Sequence, residues 1–213
     1  MPYIETIVTP QALHIAVWQL TEELSQLEAL WGDVAMPENF AKSTSDKRRR
    51  EILATALLLR HYWGRDVPVR HADNGAPLID QGYISISHTA SYVVAAFHPT
   101  RRIGVDIEAL GARAPRVSKR FMSSSEIAAL PDETETLANG ISARNVAIHL
   151  AWSVKEAVYK IHPEAVEFRE DIILDSFESM PNGYVEVALP GINLRTTAYY
   201  TLYNDCSLAW VVE

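Results

Sequence analysis

Cysteine is almost missing from this sequence: of 213 residues, only Cys206 is one. A lone cysteine excludes an intramolecular disulfide and reads as a reducing compartment. Cys206 sits in an apolar stretch, "CSLAWVVE", where a free thiol reads as buried filler rather than a nucleophile. No apolar run approaches the roughly 20 residues of a membrane span. The first residues, "MPYIETIVTPQ", carry an early Glu and no basic segment, unlike a signal peptide. The expectation is a cytoplasmic protein that does not enter a membrane. An excess of positive charge is also missing. Nineteen Lys and Arg stand against 27 Asp and Glu, a net charge of −8, which argues against general nucleic-acid binding. Two local clusters break that acidic balance: "KRRR" (Lys47 to Arg50) and "RAPRVSKR" (Arg113 to Arg120), the latter with no acid. An acidic chain that keeps such clusters binds anions at defined places.

What is present is ordinary for a globular chain: 48% hydrophobic and 22% charged residues. The length is large for one compact domain and small for two independent ones. "HIAVWQLTE" reads as an early strand and "TEELSQLEALW" as a short amphipathic helix. "SDKRRREILATALLLRHYW" (Ser45 to Trp63) is a strong helix, capped by Ser45 or Asp46, with a basic first turn that opposes the helix dipole. A local rule broken at a helix start points mildly to function. "ADNGAPLID" is turn-rich. "GYISISHTASYVVAAFH" reads as two strands around a polar turn, and "RRIGVDIE" as a further strand. "PRVSKRFMSSSEIAAL" reads as a loop, then a helix opening on a capping box of Ser123 and Glu126. "SARNVAIHLAWSVKEAVYKIH" (Ser142 to His162) is the second strong helix, ended by Pro163, and from Ile172 the chain reads as an antiparallel meander. The class is α+β. The order of elements hints at a coarse internal repeat whose halves meet near Arg101, giving subdomains 1–101 and 102–213.

The chemistry concentrates in two segments. In "IGVDIE", Asp106 and Glu108 are two apart on an apolar strand and so share one face. Carboxylates about 4–7 Å apart repel by a few kcal/mol at an effective dielectric near 20. A solvent-facing strand edge would tolerate the pair, and a divalent cation would exploit it. In "AWSVKEAVYK", Trp152, Glu156 and Lys160 follow at i, i+4 and i+8 on one helix face. A solvated ion pair is the plain reading of Glu156 and Lys160. The helix is otherwise apolar, however, so Glu156, Lys155 and Lys160 need partners. Three carboxylates, Asp106, Glu108 and Glu156, make a hard oxygen donor set suited to Mg²⁺ with substrate phosphate as a further ligand. Phosphate in turn needs donors, which "SISHT" (with Ser87, His88 and Thr89), Lys160 and the "KRRR" helix start supply.

With these residues in order, the chain resembles the larger, pseudo-dimeric surfactin-type class of 4′-phosphopantetheinyl transferases. "GAPLID…ISISHT" resembles the family's Gly-x-Pro followed by Ser-His-Ser/Thr. "IGVDIE" and "WSVKEAVYK" match its two signature motifs, and together they are specific. "SDKRRREILATALLLR" and "KRFMSSSEIAAL" resemble the segments before and between them. The resemblance runs from about residue 45 to 162. It leaves the first 40 and last 50 residues without a motif.

The resemblance implies two similar α/β subdomains related by a pseudo-two-fold axis, a monomer, and coenzyme A between them. It implies transfer of the phosphopantetheine arm of coenzyme A to a serine of an apo acyl or peptidyl carrier protein, releasing 3′,5′-ADP. Asp106 and Glu108 become ligands of Mg²⁺ or, alternatively, Mn²⁺. Glu156 becomes the third ligand or a base toward the serine hydroxyl, and Lys160 a pyrophosphate ligand. Ser87 and His88 would hold a coenzyme A phosphate, Arg49 or Arg50 the 3′-phosphate, and Lys155 would support the phosphate or the carboxylates. Subdomain 1–101 becomes the coenzyme A phosphate side, and 102–213 the metal and catalytic side. Ala76 stands where the family often has Lys or Arg, so that contact to coenzyme A is lost. Carrier proteins are generally acidic, so Arg113, Arg116 and Lys119 are candidate docking residues, with a solvated loop as the alternative. Two other readings stand beside this one. A holo-acyl-carrier-protein synthase of the trimeric class is disfavoured by the chain length and by the upstream Ser-His-Thr. A catalytically inactive homologue that binds coenzyme A or a carrier is disfavoured because all three carboxylates and Lys160 are present.

Overall fold

Short β-branched runs alternating with two long Ala- and Leu-rich helices build layers of sheet and helix, and the computed structural model of the protein is of this mixed α and β kind. It describes residues 3–137, 140–175 and 182–213. The chain divides into two compact units, Met1–Arg102 and Ile103–Glu213.

In the first unit the order is β1 (Tyr3–Val8), β2 (His14–Gln19), α1 (Leu24–Trp31), α2 (Asp46–Trp63), the two-residue strands β3 (Arg70–His71) and β4 (Pro77–Leu78), then β5 (Tyr83–His88) and β6 (Tyr92–His98). The main sheet has the order β1-β2-β6-β5 and is antiparallel throughout. Strand β1 has no counterpart in the sequence reading, because its pattern of half-buried and exposed residues carries little apolar signal. Helix α2 starts on the Ser45 side chain, which accepts from Arg48 N at 3.4 Å. Its inner face (Leu53, Leu57, Leu58) packs with Trp18, Val93 and Phe97 of the sheet. The turn from β5 to β6 is fastened by Thr89, whose Oγ1 accepts from Ser91 N at 3.1 Å and Tyr92 N at 3.0 Å. That turn holds His88 at the end of its strand.

The second unit runs β7 (Ile103–Ala109), α3 (Arg113–Phe121), α4 (Ser124–Ala128), α5 (Ala143–Tyr159), α6 (Phe168–Asp171), β8 (Ile173–Asp175), β9 (Asn182–Leu189), β10 (Leu194–Tyr203) and β11 (Cys206–Val212). Its antiparallel sheet has the order β7-β11-β10-β9-β8. Helix α5 lies across β7, β11 and β10. It lies so close to β7 that a Cβ on Gly104 would come within 1.9 Å of the Ala157 carbonyl oxygen. The glycine of "IGVDIE" is therefore a packing requirement, and it draws the Asp106 face of β7 against α5. The segment read as a loop from Arg113 to Arg120 is a helix. Pro115 falls in its first turn, where a missing N–H costs nothing, while Ala114, Val117 and Phe121 turn inward at helical spacing. The capping box of α4 forms between Ser123 and Glu126.

Candidate active site

Within the second unit, β7 and α5 bring the carboxylates together. Asp106 is buried on β7, and the Lys160 ammonium, just past the end of α5, donates to its Oδ1 at 3.0 Å and to the Val105 carbonyl at 2.7 Å. Glu108, two residues on, accepts from the indole Nε1 of Trp152 at 3.2 Å. Trp152 is one turn before Glu156, so α5 sets both of them toward β7. Burial pushes the Glu156 carboxyl up to about 7, and the neighbouring charges of Asp106 and Glu108 add to that push against the pull of Lys160. Glu108 is also raised, first by burial and then by Asp106, with Trp152, Lys160 and Arg113 opposing. The acids therefore sense one another's charge. Glu108, Glu156 and Trp152 line a cavity of about 630 Å³ whose other walls include Arg113, Phe121 and Phe168.

Among the described residues no three His, Cys, Asp or Glu side chains are gathered closely enough to hold a metal ion as they stand. The donor set nevertheless fits a hard divalent cation. All three side chains offer oxygen, they stand on facing elements, and their mutual repulsion is the cost that such a cation removes. Asp106, Glu108 and Glu156 are the residues that would hold it.

Lys155 does not join this group. Its side chain is fully buried, and its ammonium donates to the carbonyls of Phe121 at 2.8 Å and Phe168 at 2.9 Å and to the Glu126 carboxylate at 3.0 Å. With all three donors used it has none left for phosphate. Burial pulls its pKa down, and Glu126 opposes that pull. Glu126 also accepts from Ser123 N and Leu174 N, so this ion pair ties α3, α4, α5 and β8 together.

In the first unit, His88 lies at the end of β5, where its Nε2 is 3.0 Å from Arg48 Nη1 and 3.2 Å from Glu51 Oε2. Ser87 is buried beside it. Arg49 and Arg50 do not reach this group. Arg49 Nε donates to the Ser43 carbonyl at 2.9 Å and its guanidinium covers the Phe40 ring, while Arg50 Nε donates to the Glu22 carbonyl at 2.9 Å. The cation that accompanies His88 is Arg48, the second residue of "KRRR". Arg48, Glu51 and His88 edge a cavity of about 390 Å³ with apolar walls that include Trp31, Ile52, Val67 and Ile86. The sequence reading missed Arg48, Glu51 and the bond from Trp152 to Glu108. A helical projection of "KRRRE" would have favoured Arg48, since it alone of the three arginines stands at i, i+3 from Glu51.

Arg113, Arg116 and Lys119 are exposed on α3, and Arg113 reaches the rim of the larger cavity. No helix among the described residues is long and apolar enough to cross a membrane. No curated protein matches the chain. Residues 102–207, the span that carries Asp106, Glu108, Glu156 and Lys160, match the family model of the 4′-phosphopantetheinyl transferase superfamily, which supports placing this protein in that superfamily.

Proposed function

We propose that the protein transfers the 4′-phosphopantetheine arm of coenzyme A to a serine hydroxyl of an apo carrier protein. The observation that carries this reading is the meeting of Asp106 and Glu108 on β7 with Glu156 on α5 and Lys160 just beyond it, inside the span that matches the superfamily. The serine oxygen forms a bond to the pantetheine-side phosphorus, and the pyrophosphate P–O bond to 3′,5′-ADP breaks. Glu156, raised by burial and by its acid neighbours, is the base that accepts the serine proton directly or through water, or else the third metal ligand. Lys160 lies beside Asp106 and supplies positive charge to the pyrophosphate oxygens. Asp106 and Glu108, with Glu156 where it is not the base, would hold Mg²⁺ or Mn²⁺, which would supply positive charge against that of the leaving group. In the first unit, His88 and Arg48 hold a coenzyme A phosphate. Exposed Arg113, Arg116 and Lys119 receive the acidic surface of the carrier.

The test is mass spectrometry of an apo carrier protein incubated with coenzyme A, Mg²⁺ and this protein. A gain of the phosphopantetheine mass on the carrier serine is expected. Coenzyme A binding without any gain across fatty-acid, polyketide and peptide carriers would point instead to a binding protein that has lost catalysis.

A further inference from the structure

Glu51 is the least exposed charged group at the smaller cavity. Its side chain is 5% exposed, whereas those of its partners are 50% (Arg48) and 33% (His88) exposed. Its Oε2 lies 3.1 Å from Arg48 Nη1 and 3.2 Å from His88 Nε2, and those two nitrogens are 3.0 Å apart. The three atoms form a nearly equilateral triangle. Lys47 approaches the other oxygen, Oε1, at 3.9 Å. Arg48 and Lys47 are ordinary helix neighbours of Glu51 at i, i+3 and i, i+4. His88 is not, for it comes from the end of β5, held there by the Thr89 turn. A surface ion pair leaves both partners in water. Here the acid is covered and the two nitrogen-bearing groups are open.

We propose that Glu51 is a positioning residue that seats Arg48 and His88 as one anion-binding pair. The inference rests on the reading that this pair holds a coenzyme A phosphate. A covered carboxylate beneath the Arg48 guanidinium and the His88 ring accepts from both, and it holds both side chains in place before an anion arrives. Ordering two rotamer-rich side chains in advance removes a cost that binding would otherwise carry. Arg48 Nη1 donates to Glu51 Oε2, and with its proton on Nε2 the His88 ring donates to the same oxygen. The triangle therefore uses only one of the five guanidinium donors. Glu51 itself touches no substrate and acts through its neighbours.

Glu51→Gln keeps the size and the acceptor oxygen and removes the charge. The experiment measures coenzyme A affinity by calorimetry, KM for coenzyme A, kcat and Tm on the full chain, for Glu51→Gln, Glu51→Asp, Arg48→Ala, His88→Ala and the Glu51→Gln/His88→Ala double variant. The expected result is about a tenfold weaker affinity and higher KM for Glu51→Gln. The kcat at saturating coenzyme A should change by less than about twofold. Glu51→Asp, which keeps the charge, should regain most of the affinity, and in the His88→Ala background Glu51→Gln should add little. Normal affinity in Glu51→Gln alongside a loss in His88→Ala overturns the positioning role and leaves the phosphate reading standing. Equal losses in the Gln and Asp variants, each with a large fall in Tm, overturn it in favour of a purely structural acid. Unchanged affinity in both Arg48→Ala and His88→Ala removes the phosphate reading, and the inference with it.

Discussion

In the first unit one covered carboxylate, Glu51, lies beneath Arg48 and His88 at the mouth of an apolar-walled cavity. In the second, Asp106, Glu108 and Glu156 on β7 and α5 lie within range of one another's charge and are met by Lys160 on Asp106 and by the charge of Arg113 near Glu108. The same arithmetic applies with opposite sign. An excess of cationic groups favours an anion, and an excess of carboxylates favours a cation or a proton. The difference also separates two kinds of buried charge. Glu51 and Asp106 adjoin groups that open to a cavity, whereas the Lys155–Glu126 pair is sealed among backbone partners. Only charges of the first kind are suited to a ligand.

That distinction is most sharply broken or upheld at Asp106. Asp106→Ala should reduce phosphopantetheinyl transfer at least about 10²-fold while the protein stays folded, measured as carrier mass gain beside circular dichroism. A fully active variant would sink the role of the carboxylate group. Next comes the contrast between two lysines five residues apart, one on α5 and one just past its end. Lys155→Ala leaves Glu126 charged and buried without its partner, a loss of about 3–5 kcal/mol, read as a large fall in the denaturation midpoint. Lys160→Ala should lower kcat strongly and lower that midpoint less, because Lys160 is 27% exposed where Lys155 is fully covered. If Lys160→Ala destabilised as much as Lys155→Ala, the division into ligand-facing and sealed charges would be wrong.

These lysines also show how far the sequence could be read. The period of "SARNVAIHLAWSVKEAVYKIH" was enough to place Glu156 and Lys160 on one face, and the i, i+2 rule was enough to pair Asp106 with Glu108. Neither rule says where a neighbouring side chain ends. Lys155 adjoins Glu156 in sequence and points into backbone carbonyls from two other segments. Those partners are the last residue of α3 and the first of α6, which no periodicity foretells. Arg48, Arg49 and Arg50 differ by a 100° rotation per residue, and which one meets His88 depends on the register of α2 over the sheet. Helix α3 was missed because a proline and four cations in nine residues obscure a narrow apolar stripe of Ala114, Val117 and Phe121. Strand β1 was missed because it is a sheet edge with a weak pattern.

A smaller effect is expected on α3. Reversing Arg116 and Lys119 to Glu should raise KM for the carrier protein about tenfold and leave KM for coenzyme A near its original value, because exposed charges steer association more than they hold a complex. Rising salt should shrink the difference. A change confined to the coenzyme A term would move the cationic helix from the carrier side to the substrate side.

The smallest effect separates two histidines. His88 stands among charged groups at a cavity mouth, whereas His149 stands on α5 among backbone groups. Asn145 O can only accept and Gly111 N can only donate, so His149 is the neutral tautomer with its proton on Nδ1. Burial lowers its pKa below the ordinary 6.5, with the Asn145 bond opposing. The unfolded chain then binds the proton more readily than the folded one, so stability is fully present above pH 6.5 and is lost as pH falls through the lower folded value. Protonation would turn the Nε2 acceptor into a donor facing the Gly111 N–H and loosen the loop between β7 and α3. Tm should therefore fall on acidification from about pH 7.5 to about 5.5, the range in which histidine titrates, and it should fall less in His149→Asn. An equal fall in both proteins would mean that His149 carries no such linkage and that the loop is held by other contacts, such as the Leu110 N to Asp205 O bond at 2.9 Å.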